Sequence, residues 1–507
     1  MVKMNALLLL AAVTLIAGCT KDAPEEHPLT ADAPDRHAVT ELAPGQYIGV
    51  TMGFDHDARL GGKNPGAGGN IIYNLSLFKS TTNDNDWWDN IAEEIAYSGV
   101  DFVAPTLRGY TPNNSRDAGD PRRLASLVAA MDRRGLSNAF KIAVFDDNPA
   151  SWTAARNLDN GDGYDYTPLF DCGDTANYKY IWDYDLKATF TAVPDAKRFK
   201  INGRPLIMFW SVANAFCTNQ GNGNLKKIAQ FVRAKCQSVF GFNPYIVVDP
   251  TWLQFDQQCN DPAVIDAVNP WFNMANPWRV STFNNVTVGT AVPGFRVVTS
   301  TTNMFIDANH GQTFTTGLSN VTGAGALITL VEGFTDWPEN TSMWRSPDTT
   351  YYDYPNQRIN ILRRYTHKAY GNLKVEAEGC DSYHDLSAGN SGGTFRDGDL
   401  DVVKTGDVNG GWHVTNTQAG EWLEWKELPL PAATRFQVRY SSNQPSTVRF
   451  VVDGVNQPVV TLPVTGNGSY AAEDAGAISF SVNSLHTVRL QIVSGNPAIN
   501  YFNIMQQ

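Results

Sequence analysis

Three carboxylates stand within eight residues at the end of an apolar run: Leu327-Ile-Thr-Leu-Val331 leads into Glu332, Asp336 and Glu339, with Phe334 and Trp337 between them. Acids are disfavoured inside a strand and costly to cluster, so the group needs either a use or a neutralising partner. Repulsion between neighbouring carboxylates raises the pKa of one of them. A carboxylic acid is thereby kept beside a carboxylate, the pair that acid/base cleavage of a glycosidic bond requires. The alternative is that Asp336 and Glu339 decorate the first turn of a helix, where acids suit the macrodipole.

Short β-branched or aromatic runs at 47–51, 100–104, 141–145, 205–210, 245–248, 264–268 and 326–331 alternate with amphipathic stretches at 86–97, 121–131 and 224–240. Alternating βα units imply a parallel sheet. With an eighth strand at 294–298, the economical arrangement is an α/β fold, a (β/α)8 TIM-like barrel over residues 45–371; a doubly wound open sheet is the other. A barrel does its chemistry at the C-terminal strand ends. Those ends gather Asp55 and Asp57 after the first strand, Asp146 and Asp147 after the third, Asp249 after the fifth, and Glu332, Asp336 and Glu339 after the eighth, accompanied by Trp210, Trp252, Trp271 and Trp337. Carboxylates accept from hydroxyls and flat rings stack on sugar faces, so a glycan would use this set, whereas each Asp could equally cap the helix that follows it. Gly61-Gly62-Lys63 is followed by Asn64 rather than Ser or Thr, which argues against a phosphate loop; it reads as a mobile loop over the barrel mouth.

A net charge of −12 leaves no basic face for a phosphate backbone, so nucleic acid is not an expected partner. Apart from Cys19 there are Cys172, Cys217, Cys236, Cys259 and Cys380, with no Cys-x-x-Cys, which argues against a disulfide framework or a zinc cage and leaves one or two bridges open. The chain starts with a basic head, an apolar stretch at 6–16 too short to span a bilayer, and a Pro-, Ala- and acid-rich segment that cannot build a core. Leu15-Ile-Ala-Gly-Cys19 resembles a bacterial lipobox. That resemblance implies a signal peptide at 1–18, a lipid on Cys19 as the only membrane attachment, and a flexible linker at 19–44. Lys21-Asp22 and Glu25-Glu26 resemble the acidic tag of surface-displayed lipoproteins, so the outer membrane or cell surface is the expected location.

Phe334-Thr-Asp-Trp-Pro-Glu339 resembles the aromatic-Asn-Glu-Trp-x-Glu signature ending the eighth strand in glycoside hydrolase family 99 and its family 71-like barrel relatives. The segment from Trp87 to Val103 is similar to the helix and strand that open those barrels. The resemblance implies that Asp336 is the base acting on a sugar 2-hydroxyl and Glu339 the general acid/base. Asp336 is one methylene shorter than the family's glutamate, Thr335 replaces its asparagine, and Pro338 stiffens the step between the two acids. Retreat of a base by 1 Å can cost about 10²-fold in rate.

From 372 to 507 the pattern turns to period-two alternation at 435–440, 447–452 and 487–493, with Asp453-Gly454 and Ser494-Gly495 at turns, as in an all-β jelly-roll sandwich. Val375-Glu-Ala-Glu378, Gly393 to Asp399, Gly420-Glu-Trp-Leu-Glu-Trp425 and Asn500-Tyr-Phe-Asn503 resemble carbohydrate-binding modules of families 6 and 35. That resemblance implies a structural Ca2+ on Glu376, Glu378 and Asn503, and a sugar-stacking role for Trp412. Ala498 stands where those families place a sugar-binding asparagine. The expectation is an exported, lipid-anchored glycoside hydrolase-like protein acting on an oligo- or polysaccharide; the alternative is a surface lipoprotein that binds glycan without cleaving it.

Overall fold

A computed structural model describes residues 42–53, 74–79, 83–113, 119–147, 150–162, 167–298 and 303–507. Cys19, Asp55, Asp57 and the glycine-rich loop at 61–69 lie outside the described residues, as do the expected signal peptide and nearly all of the linker. Among the described residues, no helix is long and apolar enough to cross a membrane.

Eight parallel strands form the first half: β1 (Tyr47–Met52), β2 (Phe102–Leu107), β3 (Val144–Asp146), β4 (Arg204–Phe209), β5 (Tyr245–Val248), β6 (Ala267–Val268), β7 (Val286–Ala291) and β8 (Ile328–Val331). They are hydrogen-bonded in the order β6-β5-β4-β3-β2-β1-β8-β7, so that β1 lies between β2 and β8. Between β6 and β7 the described residues show no ladder. Thr290 Oγ1 donates to Asn269 Oδ1 at 2.9 Å there, and the barrel-like sheet is nearly closed.

Inward residues of alternate strands, including Phe102, Ala104, Leu206, Met208, Val247, Ile328 and Leu330, fill the interior, while the opposite faces pack on the helices. Gly49 on β1 makes room for this filling, because a Cβ there would stand 2.1 Å from the Phe102 ring. Helices α1 (Asp84–Ser98), α2 (Leu124–Arg133), α3 (Ala150–Asn160), α4 (Asn224–Phe240), α5 (Gln312–Gly323) and α6 (Gln357–Arg364) cover the outside. The Asn83 side chain caps α1, and Gly99 ends it in the left-handed region at φ 78°.

The expected strand at 294–298 is not part of this sheet. Phe295–Val298 pairs with Asn303–Ile306 in a separate two-stranded ribbon, and the seventh strand is Val286–Ala291, delivered by a hairpin from Trp278–Phe283 instead of a helix. The turn residues Asn284 and Asn285 both have positive φ, the twist a two-residue hairpin requires.

The second half is an all-β sandwich. One sheet joins Leu373–Glu376, Val402–Lys404, Trp412–Val414, Ala433–Ser441, Ala471–Ser479 and Ala498–Gln506; the other joins Ser382–His384, Trp422–Leu430, Ser446–Val452, Val455–Leu462 and Ser484–Ser494. Alternate residues point inward, and Phe436, Phe450 and Phe502 meet at the centre with ring centroids 4.4 Å and 5.3 Å apart.

Candidate functional site

Strand β8 delivers Glu332, and the chain then folds back on itself. Gly333 turns at φ 80°, where a Cβ would collide with Thr341, and Thr341 N and Ser342 N both donate to the Asp336 carbonyl at 3.0 and 3.1 Å. No helix follows, so Asp336 and Glu339 are not helix-start acids. This fold-back brings Glu332, Asp336 and Glu339 together, with one carboxylate oxygen of each within 4.8 Å of the other two. Thr51 at the end of β1 accepts from Gly333 N at 2.7 Å and donates to Glu332 Oε2 at 2.9 Å. Glu339 N donates to Asp336 Oδ1 at 3.2 Å.

Burial, then the Asp336 charge, pushes Glu332 up to about 8. Burial and repulsion from Asp336 and Glu332 hold Glu339 well above the carboxylate range. Glu332 therefore keeps its proton at neutral pH, Glu339 is biased toward its neutral form by the same causes, and the cluster offers a proton donor beside Asp336. Thr335, where the family 99 signature has asparagine, is buried and donates to the Gly53 carbonyl, so its hydroxyl serves the backbone.

The remaining predicted residues divide. Asp147 joins the site: it accepts from Arg108 Nε at 2.8 Å, its charge raises Glu332 and Glu339, and Arg108 pulls Glu339 down. Arg108 is the functional residue that the sequence reading missed, although its place one residue past β2 is the signal that would have found it. Asp146 faces the other way. Fully buried, it accepts from Ser151 Oγ and, at 3.2 Å, from Trp152 Nε1 of α3, and burial pushes it up to about 7.

Asp249 accepts from Thr251 N at 2.9 Å and Thr251 Oγ1 at 2.7 Å, a capping arrangement rather than a ligand's. Trp252 is wholly buried against Trp152 and Phe209, with Nε1 donating to the Trp210 carbonyl at 3.0 Å. Trp337 is also buried. Neither offers a ring face. Trp210 and Trp271 do remain half-buried past β4 and β6, edge to face at 6.3 Å, and are the aromatic candidates for a sugar ring.

In the sandwich, Trp412 is 3 % exposed, wedged between Phe395 at 5.3 Å and Phe78 of the barrel half at 5.2 Å. Its faces are taken by protein, which corrects its expected sugar-stacking role.

The expected calcium ligands do not fit a divalent cation as placed. Glu376 is paired with Lys374 Nζ at 2.5 Å and with Arg134 of the barrel half at 3.5 Å, so a dication would sit against two fixed cations. Asn503 donates to Gln437 Oε1 at 3.2 Å and faces Lys374 across the strand pair, and Glu378 is buried with Arg345 and Arg134 among its charged neighbours. Lys374 and Arg134 neutralise these carboxylates only in part: both Glu376 oxygens and Glu378 Oε2 are buried without a hydrogen-bond partner, and burial with the nearby Glu93 charge holds both acids above the carboxylate range.

Residues 44–382 match the family described as Domain of unknown function (DUF5010), and residues 396–504 match Carbohydrate binding module (family 35). The barrel half thus gains no link to families 99 or 71, while the second half is supported as a carbohydrate-binding module. No curated protein matches the chain. Similar solved structures include the C-terminal family 6 module of the laminarinase LamC from Zobellia galactanivorans, 19% identical, covering 27% of this chain and 100% of its own with TM-score 0.22. A family 6 module of Cellvibrio mixtus lichenase 5A in complex with cellotriose is 18% identical, covering 27% and 97% with TM-score 0.22. A family 35 module from Clostridium thermocellum is 13% identical, covering 27% and 99% with TM-score 0.21.

Proposed function

We propose, for a chain that belongs to the DUF5010 family, that the nearly closed barrel is a (β/α)8 glycoside hydrolase-like domain cleaving a glycan by carboxylate acid/base chemistry. The carrying observation is the convergence of Glu332, Asp336 and Glu339 within 4.8 Å at the C-terminal end of β8. In this reading Glu339 delivers its proton to the leaving glycosidic oxygen, and Asp336 accepts a proton from the attacking hydroxyl. Glu332, held by Thr51, stays neutral and spares Asp336 a second neighbouring charge. Trp210 and Trp271 form the platform for a sugar ring, and the match to a carbohydrate-binding family supports a glycan as the partner.

Glu339→Gln tests the assignment. On glycans that the parent chain cleaves, turnover falls about 10²–10⁴-fold with binding retained, and undiminished turnover rejects it. A second reading, glycan binding without cleavage, draws on the short Asp336 and on the Thr335 hydroxyl being engaged by Gly53. A glycan array with product analysis separates the two. The same proposal places the protein at the cell surface, tethered through lipid on Cys19; metabolic labelling with a fatty acid that fails to mark Cys19 would remove the anchor.

A further inference from the structure

The ribbon formed by Phe295–Val298 and Asn303–Ile306 runs beside Glu339. Arg296 N donates to the Glu339 carbonyl at 2.8 Å, along the edge of the ribbon that faces away from its second strand. Arg296 stands opposite Phe305, and because its N–H is turned outward the two form a non-hydrogen-bonded pair, the kind whose side chains lie closest. Glu339, Arg296 and Phe305 therefore share one row, two strand spacings or about 10 Å from first to last.

The two faces of the ribbon differ. Phe295, Val297 and Ile306 are buried with Phe272 and Val292, and Trp271 packs against this group. The other face presents Phe305, which is 41 % exposed. Arg296 lies over the Phe305 ring, 5.1 Å from its centroid. Half-buried Tyr351 stands 6.1 Å from the same ring, and its hydroxyl accepts from Arg296 Nη1 at 3.2 Å. Arg296 Nε has no hydrogen-bond partner, so the guanidinium keeps donor capacity. A single exposed apolar side chain is ordinary. One held between an arginine and a tyrosine, in the row of a proton donor, has the flat apolar face and the flanking polar groups that a sugar ring uses.

Resting on the reading of Glu339 as the proton donor, we propose that Phe305, Tyr351 and Arg296 bind the sugar on the leaving-group side of the cleaved bond, so that the glycan passes Glu339 with a ring on each side and is cut at an internal linkage. A group that protonates the leaving oxygen sits between the ring that is retained and the ring that is released. Trp271 packs on one face of the ribbon, Phe305 stands on the other, and Glu339 lies along the edge between them. The retained ring goes to Trp210 and Trp271. The released ring stacks on Phe305, with hydroxyls toward the guanidinium and the Tyr351 hydroxyl. This subsite adds no step to the proton transfers of Glu339 and Asp336.

The test titrates cellohexaose, laminarihexaose, xylohexaose and mannohexaose into the full chain carrying Glu339→Gln, alone and together with Phe305→Ala or Phe305→Trp. Cleavage by the chain with Glu339 intact is then followed on the hexaose that binds and on the glycosyl fluoride of the same sugar, whose leaving group is too small to reach Phe305. Phe305→Ala is expected to weaken hexaose binding about 10-fold and to lower the ratio of hexaose to fluoride kcat/KM by about the same factor, with Phe305→Trp restoring both. The first products are internal fragments. Equal titrations with and without Phe305→Ala for all four hexaoses, an equal loss on hexaose and fluoride, or release of single sugars alone overturns the subsite while the role of Glu339 stands. Absence of turnover in the parent chain, or undiminished turnover in Glu339→Gln, overturns the leaving-group assignment through the acid itself.

Discussion

Replacing Glu332 by glutamine turns a group that is neutral only below about pH 8 into one that is neutral at every pH. With carboxylate oxygens within 4.8 Å of each other, two full charges repel by about 3–4 kcal/mol at an effective dielectric of 20, and burial adds to this. The rise from the usual 4.5 to about 8 corresponds, at 1.36 kcal/mol per unit, to about 5 kcal/mol. The folded-state pKa lies above the unfolded one. The native chain therefore keeps a proton that the unfolded chain releases between pH 4.5 and 8, stability falls as pH rises through that window, and the penalty is complete above it.

In Glu332→Gln the side-chain amide retains an oxygen to accept from Thr51 and carries no charge. The variant therefore matches the parent near pH 5 and exceeds it by about 2–5 kcal/mol at pH 9, the lower figure applying if Asp336 takes up the proton instead. Denaturant unfolding at pH 5, 7 and 9 reads this difference directly, because every other titrating group is common to both proteins. Parallel stability curves would show that Glu332 ionises normally and that the acids do not share protons.

Arg134→Met removes the cation lying 2.7 Å from Glu93 and 3.5 Å from Glu376 and leaves Lys374 to face both acids. Unfolding stability should fall by about 3–5 kcal/mol, and an unchanged value would show that the pairing is not what joins the two halves. Trp412→Ala should cost about 3–5 kcal/mol of stability while leaving glycan affinity per folded molecule unchanged. Trp210→Ala or Trp271→Ala should do the reverse, weakening binding up to about 10-fold by titration with little loss of stability; the opposite pattern would return the sugar-stacking role to Trp412.

The parallel strands and the three long helices were legible because period-two and period-3.6 patterns depend only on which face is buried. The seventh strand was misplaced because an apolar run at 294–298 outweighed the Asn284-Asn285 turn, which carried the better signal. At the strand ends, residue type marked the rim but could not say which way a side chain turns. Asp146 and Asp147 are neighbours, so the pleat sends one into α3 and the other to Arg108. The acid cluster was readable since its members lie within eight residues. The burial of Trp412 was not, because the covering residue, Phe78, is more than three hundred positions away.

That long-range cover changes what the sandwich does for the acids. The segment that carries Glu332, Asp336 and Glu339 continues to Trp344, whose Nε1 donates to the Asn74 carbonyl at 2.7 Å, and to Arg345. Arg345 N donates to Glu94 of α1 at 2.9 Å, and its Nε donates to Asn356 Oδ1 at 2.8 Å. Asn356 in turn donates from N and Nδ2 to Asp381 at 2.8 and 2.7 Å, and Asp381 accepts from Lys426 N of the sandwich at 2.8 Å. Arg345, Asn356 and Asp381 are all buried, so each lost bond would leave an unpaired polar group away from water, at roughly 1–3 kcal/mol apiece. A sugar-binding module on a flexible tether concentrates substrate and leaves the active site's geometry alone. Here the sandwich is bonded, through the buried side chains of Arg345, Asn356 and Asp381, to the loop that sets the spacing of the acids, and it holds that loop still.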